Sequence, residues 1–173
     1  MNVMSNSGFE TVSFEQFQND IRETVFSGPT IDDDYDFYDG LKLPERATRF
    51  SAGYDFFFPF DDYELKTGET IFIPTGIRCA MDAGNVLLLM PRSSWGFKYR
   101  VRLDNTIGVI DSDYYNAENE GHIMCSMTNE GNKDFVIYRG DKFMQGVFVP
   151  FFTFRDNVDV DRKGGMGSTD ENK

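Results

Sequence analysis

Thr70-Ile71-Phe72-Ile73-Pro74, followed by Thr75-Gly76, reads as a short apolar strand ended by a turn, and the same unit recurs downstream. Val86-Leu87-Leu88-Leu89-Met90, His122-Ile123-Met124-Cys125-Ser126-Met127, Phe135-Val136-Ile137-Tyr138 and Gly146-Val147-Phe148-Val149-Pro150 are further runs of strand length. Ala83-Gly84-Asn85, Glu130-Gly131-Asn132 and Arg139-Gly140-Asp141 supply turns between them. No stretch keeps helical spacing long enough to cross between parallel strands. The pattern therefore predicts an all-β sandwich or barrel, with no internal repeat.

Upstream, residues 1–41 differ in character. Ser13 opens a capping box with Gln16, Phe14, Phe17 and Ile21 follow at helical spacing, and Val12 is placed to staple onto Phe17, so a short amphipathic helix is expected. Ile31-Asp32-Asp33-Asp34-Tyr35-Asp36-Phe37-Tyr38-Asp39-Gly40 fails as a calcium loop, because Tyr38 stands where an oxygen ligand belongs. It reads as a solvated acidic linker with its aromatics tacked onto the body. At the other end, Arg162-Lys163-Gly164-Gly165-Met166-Gly167-Ser168-Thr169 joins cations, hydroxyls and bare backbone N–H groups, the chemistry for wrapping a polyphosphate. The expected organisation is an extension over 1–41, a β core over 42–155 and an arm over 156–173.

At 173 residues, of which 40% are hydrophobic and eighteen are Phe, the chain has material for one well-filled core. A net charge of −12 argues against a nonspecific grip on nucleic acid or on an anionic membrane. An anionic ligand would need the few cations concentrated in one place and a divalent metal to accompany it. Cys79 and Cys125 lie far apart in apolar runs and are expected to be buried free thiols of a cytoplasmic protein. The single histidine, His122, excludes a histidine metal cluster and reads as an ordinary strand residue.

Five segments carry chemistry in order: Ser51-Ala52-Gly53-Tyr54-Asp55, Pro91-Arg92-Ser93-Ser94, Asn105-Thr106-Ile107-Gly108-Val109-Ile110-Asp111-Ser112-Asp113-Tyr114, Arg139-Gly140-Asp141-Lys142-Phe143-Met144-Gln145, and the glycine-rich arm. Each alone is explained by turns and strand ends. Together, from about Lys42 to Thr169, they resemble the five motifs of the homotrimeric-type dUTPases, whose fold is a distorted jelly-roll or β-barrel. The resemblance implies hydrolysis of dUTP to dUMP and pyrophosphate with Mg²⁺.

It implies roles residue by residue. Asp111 is similar to the family's general base, which polarises the water that attacks the α-phosphorus and accepts a bond from the 3′-OH. Gln145 resembles the amide that positions the α-phosphate and water. Tyr114 resembles the ring packed under the deoxyribose, where it rejects a 2′-OH. Asn105 and the backbone from Gly108 to Ile110 resemble the hairpin that reads uracil. Arg92, Ser93 and Ser94 match the phosphate-binding turn, and Asp55 matches the acid that meets Mg²⁺ through water. Arg162, Met166, Gly167, Ser168 and Thr169 match the arm that closes over base and γ-phosphate. In the family this arm comes from a neighbour, so the resemblance implies a homotrimer with shared sites.

The chain also departs from the family. Met166 replaces the Phe that stacks on uracil, and Trp95, Phe97 or Tyr99 is a candidate for the missing ring. Tyr115-Asn116-Ala117-Glu118-Asn119-Glu120-Gly121 is longer than the usual turn, and the 41-residue extension has no counterpart in short family members, which leaves room for a protein partner. Two alternatives stay open. A dUTP-binding sensor would need no general base, and a dCTP deaminase would need a catalytic Glu near the position of Ser126.

Overall fold

Alternation along the strands decides which face each presents to the core. In the computed structural model, which describes residues 8–23, 34–154, 162, 164 and 165, the chain runs β1 (Gly8–Thr11), α1 (Phe14–Glu23), α2 (Asp34–Asp39), β2 (Glu45–Arg46), β3 (Tyr54–Phe57), β4 (Tyr63–Leu65), β5 (Thr70–Ala80) and β6 (Asn85–Pro91). It continues through α3 (Ser93–Tyr99), β7 (Val101–Leu103), β8 (Gly108–Asp111), a 3₁₀ turn (Ser112–Asn116), β9 (Ile123–Asn129), β10 (Phe135–Ile137) and β11 (Lys142–Pro150). On β9, Ile123, Cys125, Met127 and Asn129 are buried while the residues between them are half-buried, the period of two that a one-sided sheet requires.

The strands form three sheets, in the orders β1-β5-β9-β7, β10-β4 and β2-β3-β11-β6-β8, with antiparallel pairing throughout. This is the expected β-rich architecture, in separate sheets and not as a closed barrel. Phe56, Phe58, Phe60 and Phe143 are fully buried, so the phenylalanine-rich composition does fill the core. Cys79 and Cys125 are free and buried. Burial pushes the Cys79 thiol up to about 12 and raises that of Cys125, so neither is a ready nucleophile. No described helix is long and apolar enough to cross a membrane.

Four local readings are corrected. Thr75-Gly76 is no chain reversal: β5 continues through it to Ala80 with a bulge between Pro74 and Ile77. The acidic stretch is helical over Asp34–Asp39, with Phe37 buried and the Tyr38 hydroxyl donating to the Val12 carbonyl (2.8 Å). Ser93–Tyr99 is a helix where only a turn was expected. His122 lies just before β9 and is wholly buried.

The extension is built into the body. Its first strand pairs with the edge of β5, and Phe17 of α1 is fully buried and stacks on Phe60 at 6.4 Å between ring centroids. The Ser13 hydroxyl accepts the Gln16 N–H (3.1 Å), as a capping residue should. The reciprocal half of the box comes from across the fold, where Glu120 accepts the Ser13 N–H (2.8 Å), while Gln16 turns its amide to Asp20 (2.8 Å). Phe17→Ala should therefore lower the unfolding free energy by about 3–5 kcal/mol in urea titration. An unchanged midpoint would mean that the extension is an appendage.

Candidate active site

The segment from β7 to β8 is not the expected hairpin, because β7 pairs with β9 in one sheet and β8 with β6 in another; it crosses between the sheets and forms one wall of a cavity of about 520 Å³, within the range that holds a small-molecule ligand. Asn105 lines it from the connecting loop, Gly108, Ile110 and Asp111 from β8 and Tyr114 from the following 3₁₀ turn. Thr106 holds φ at +70°, a conformation that costs a β-branched residue energy and that the surrounding loop must hold in place. Leu103 accepts the Thr106 N–H (2.9 Å) and Asn105 the Ile107 N–H (2.8 Å), which pins the tip.

Tyr114 is buried, and its hydroxyl donates to the His122 carbonyl (2.9 Å) and accepts from the Asn119 amide (2.9 Å). Burial raises its phenol, keeping it neutral. From the arm, Arg162 enters the same cavity. Its guanidinium pairs with Asp111, bonds Asp113 (2.7 Å) and lies 5.9 Å from the Tyr114 ring centre, with Gly165 against that ring. Met166, Gly167, Ser168 and Thr169 lie outside the described residues.

The remaining predicted residues gather elsewhere. Asp55 on β3 is buried and pairs with Arg92, and its second oxygen lies 3.1 Å from Lys142 Nζ. Gln145 on β11 is in register with Asp55 on one side and with Met90 on the other. Arg92 caps α3, and Ser93 and Ser94 are exposed in its first turn, where N–H groups have no partner within the helix. Lys142 was not singled out in the sequence; its signal was a cation three residues before Gln145 in an acidic turn. This group of one acid and two cations suits an anion better than a metal.

Gly53 sets the Gln145 amide. A Cβ at position 53 would come 2.7 Å from Gln145 Oε1, closer than side chains tolerate. Gly53→Ala should displace that amide with little loss of stability and, on the role that the resemblance implies for Gln145, lower kcat roughly tenfold or more, since misplacing a positioning group by about an ångström is that costly. Steady-state kinetics beside a melting curve will show it, and an unchanged kcat would remove Gln145 from the reaction.

The two groups sit at opposite ends of β6. Asp111 pairs with Val86 and Met144 with Pro91, so at roughly 3.3 Å per residue the groups are about 17 Å apart along the strand. Cross-strand partners share a face. Asp111, Val109 and Gln145 therefore stand on the same side of the sheet as Val86, Leu88 and Met90. Between the two groups lies an apolar band in which Leu88, Met90 and Val147 are only half-buried and Val109 is 58% exposed. One chain thus holds two polar groups joined by an apolar strip.

Residues 39–169 match the dUTPase family. The chain is a member of the dUTPase family. It is 41% identical over 134 residues to the deoxyuridine 5′-triphosphate nucleotidohydrolase of Lactococcus lactis subsp. lactis, covering 75% of this chain and 89% of that protein. The crystal structure of the Streptococcus mutans dUTPase superimposes with a TM-score of 0.62 at 33% identity, over 86% of this chain and 99% of that one. A mutant dUTPase of phage phi11 of S. aureus, described with a structural Mg(II) ion, shares the fold with a TM-score of 0.56 at 23% identity, over 69% of this chain and 91% of that one.

Within the dUTPase frame, the three aromatics offered as a substitute lid separate clearly. Trp95 is buried edge-on to Phe135 (5.1 Å), and Tyr99 stacks on Phe135 (4.2 Å), so both belong to the core. Phe97 is 88% exposed. Among the described residues no three acid, thiol or imidazole side chains gather to hold a metal.

Proposed function

We propose that the chain hydrolyses dUTP to dUMP and pyrophosphate in sites shared between the subunits of a homotrimer. The observation that carries this reading is the convergence of Asp111, Tyr114 and the Asn105–Ile110 segment on one nucleotide-sized cavity, with Gln145 toward the far end of the same sheet face. A second copy laid on the apolar strip would hide Leu88, Val109 and Val147 and bring its Arg92 end to the first copy's Asp111 end.

In that arrangement each group has a task. The Asn105–Ile110 segment presents backbone donors and acceptors to the uracil edge, a fixed pattern that a cytosine amino group mispairs with and a thymine methyl overfills. Tyr114 forms the floor under the deoxyribose. Asp111 takes a proton from water as its oxygen bonds to the α-phosphorus. The bond from that phosphorus to the bridging oxygen breaks, and pyrophosphate leaves with the electron pair.

Gln145 orients the α-phosphate and the attacking water, while Arg92, Ser93, Ser94 and Lys142 draw in the phosphates. Arg162, paired here with Asp111 and Asp113, exchanges these carboxylates for the γ-phosphate when the arm closes, which frees Asp111 for its water. Met166 then covers the base, and Gly167, Ser168 and Thr169 wrap the γ-phosphate.

Both oxygens of Asp55 face cations, so this group offers no direct metal ligand, and a Mg²⁺ brought in with the triphosphate would meet Asp55 only through water. When bound, the ion neutralises charge on the phosphate oxygens. A deaminase is disfavoured because Ser126 stands where its catalytic acid belongs, donating its hydroxyl to Asp104.

The test is release of pyrophosphate from dUTP, dCTP, dTTP and UTP with Mg²⁺ present. Turnover of dUTP alone is expected. Ammonia from dCTP would show the wrong reaction, and tight dUTP binding without turnover would make the chain a sensor.

A further inference from the structure

The turn after Tyr114 and the amino-terminal strand and helix meet each other in the fold. The backbone N–H and hydroxyl of Ser13 both donate to the Glu120 carboxylate (2.8 and 2.7 Å). The Tyr115 hydroxyl donates to Glu10 on β1 (2.8 Å), and the Arg78 guanidinium lies 3.6 Å from the Tyr115 ring centre, between Glu10 and Glu120. The turn is clamped along its length by β1 and α1.

Beneath the turn, the imidazole of His122 is wholly buried between α1 and β5. The Gly76 N–H donates to its Nε2 (2.7 Å), so that nitrogen carries no proton. The ring proton is on Nδ1 and goes to Asp20 of α1 (2.5 Å). The carbonyl of the same His122 accepts the Tyr114 hydroxyl. A continuous series of bonds therefore runs from α1 through Asp20 and His122 to the ring that faces the cavity.

We propose that the strand and helix from Gly8 to Glu23 brace Tyr114 against retreat, with Asp20 and His122 as positioning residues that sharpen the choice of deoxyribose over ribose. The inference rests on the reading of Tyr114 as the sugar-facing ring. A ring excludes a 2′-hydroxyl only if it cannot yield, since a small shift opens room for one oxygen. Tyr114 is held at its hydroxyl from the far end of the long turn, by Asn119 and by His122 just past it, and that turn has its backing in the extension.

The experiment measures kcat/KM for UTP and dUTP on full-length variants. In Asp20→Ala the UTP-to-dUTP ratio should rise about tenfold, through faster turnover of UTP, while kcat on dUTP stays within about twofold of the parent. Asp20→Asn, whose amide oxygen still accepts the Nδ1 proton, should return the ratio toward that of the parent. Leu65→Ala, a buried residue on β4, controls for lost stability and should leave the ratio alone.

Should Asp20→Ala fail to fold, Glu120→Gln loosens the same turn from the surface and should raise the ratio in the same direction. If Tyr114→Ala raises the ratio and neither Asp20→Ala nor Glu120→Gln does, the brace is wrong. A rise of equal size in Leu65→Ala would also overturn it. If Tyr114→Ala itself leaves the ratio unchanged, the sugar-facing reading falls, and the brace with it.

Discussion

Asp111→Asn should lower kcat on dUTP by about 10²- to 10⁴-fold, the usual worth of a positioned general base. The amide keeps the carboxylate's size and can still accept a bond from the sugar, but it cannot take a proton from water. Arg162 retains Asp113 as a partner at 2.7 Å, so the arm keeps an anchor beside the cavity. Binding of dUTP should therefore change by less than about tenfold, with kcat and kcat/KM falling together, the signature of an interaction made only in the transition state. Rapid-quench kinetics with isothermal titration will separate the two. Retained turnover would mean that another group activates the water.

The strand pattern was legible because it is local: apolar runs of fixed length, bounded by Gly, Asn and Asp, say that a chain reverses often and buries one face. What escaped was decided by partners remote in sequence. Thr75-Gly76 has the composition of a turn, yet pairing with β9 on either side carries β5 through it as a bulge. The helix Ser93–Tyr99 has seven residues, too few for a periodicity, and its buried Trp95 is placed by Phe135. His122 looked ordinary because Asp20 stands 102 positions away.

The site shows the same division. Asp111, Tyr114, Gln145 and Arg92 could be named from motifs, because each motif is a short local shape with its reactive group at a set place. Their separation to opposite ends of β6 could not, because strand order and register set it. Lys142 gains meaning only once Asp55 is seen beside it.

That separation makes subunit mixing the decisive test. On the proposed shared site, Asp111→Asn spoils only the group at one end of β6 and Gln145→Ala only the group at the other, so homotrimers of either variant should be nearly inactive. In a mixed trimer, a Gln145→Ala subunit offers an intact Asp111 to a neighbour that offers an intact Gln145. After full exchange of equal amounts, random assembly around a threefold axis should restore about a quarter of the parent activity on dUTP. Native mass spectrometry confirms that exchange has taken place. Activity near that level is the predicted result; mixed trimers no more active than the two variants measured apart would contradict a site built from two subunits.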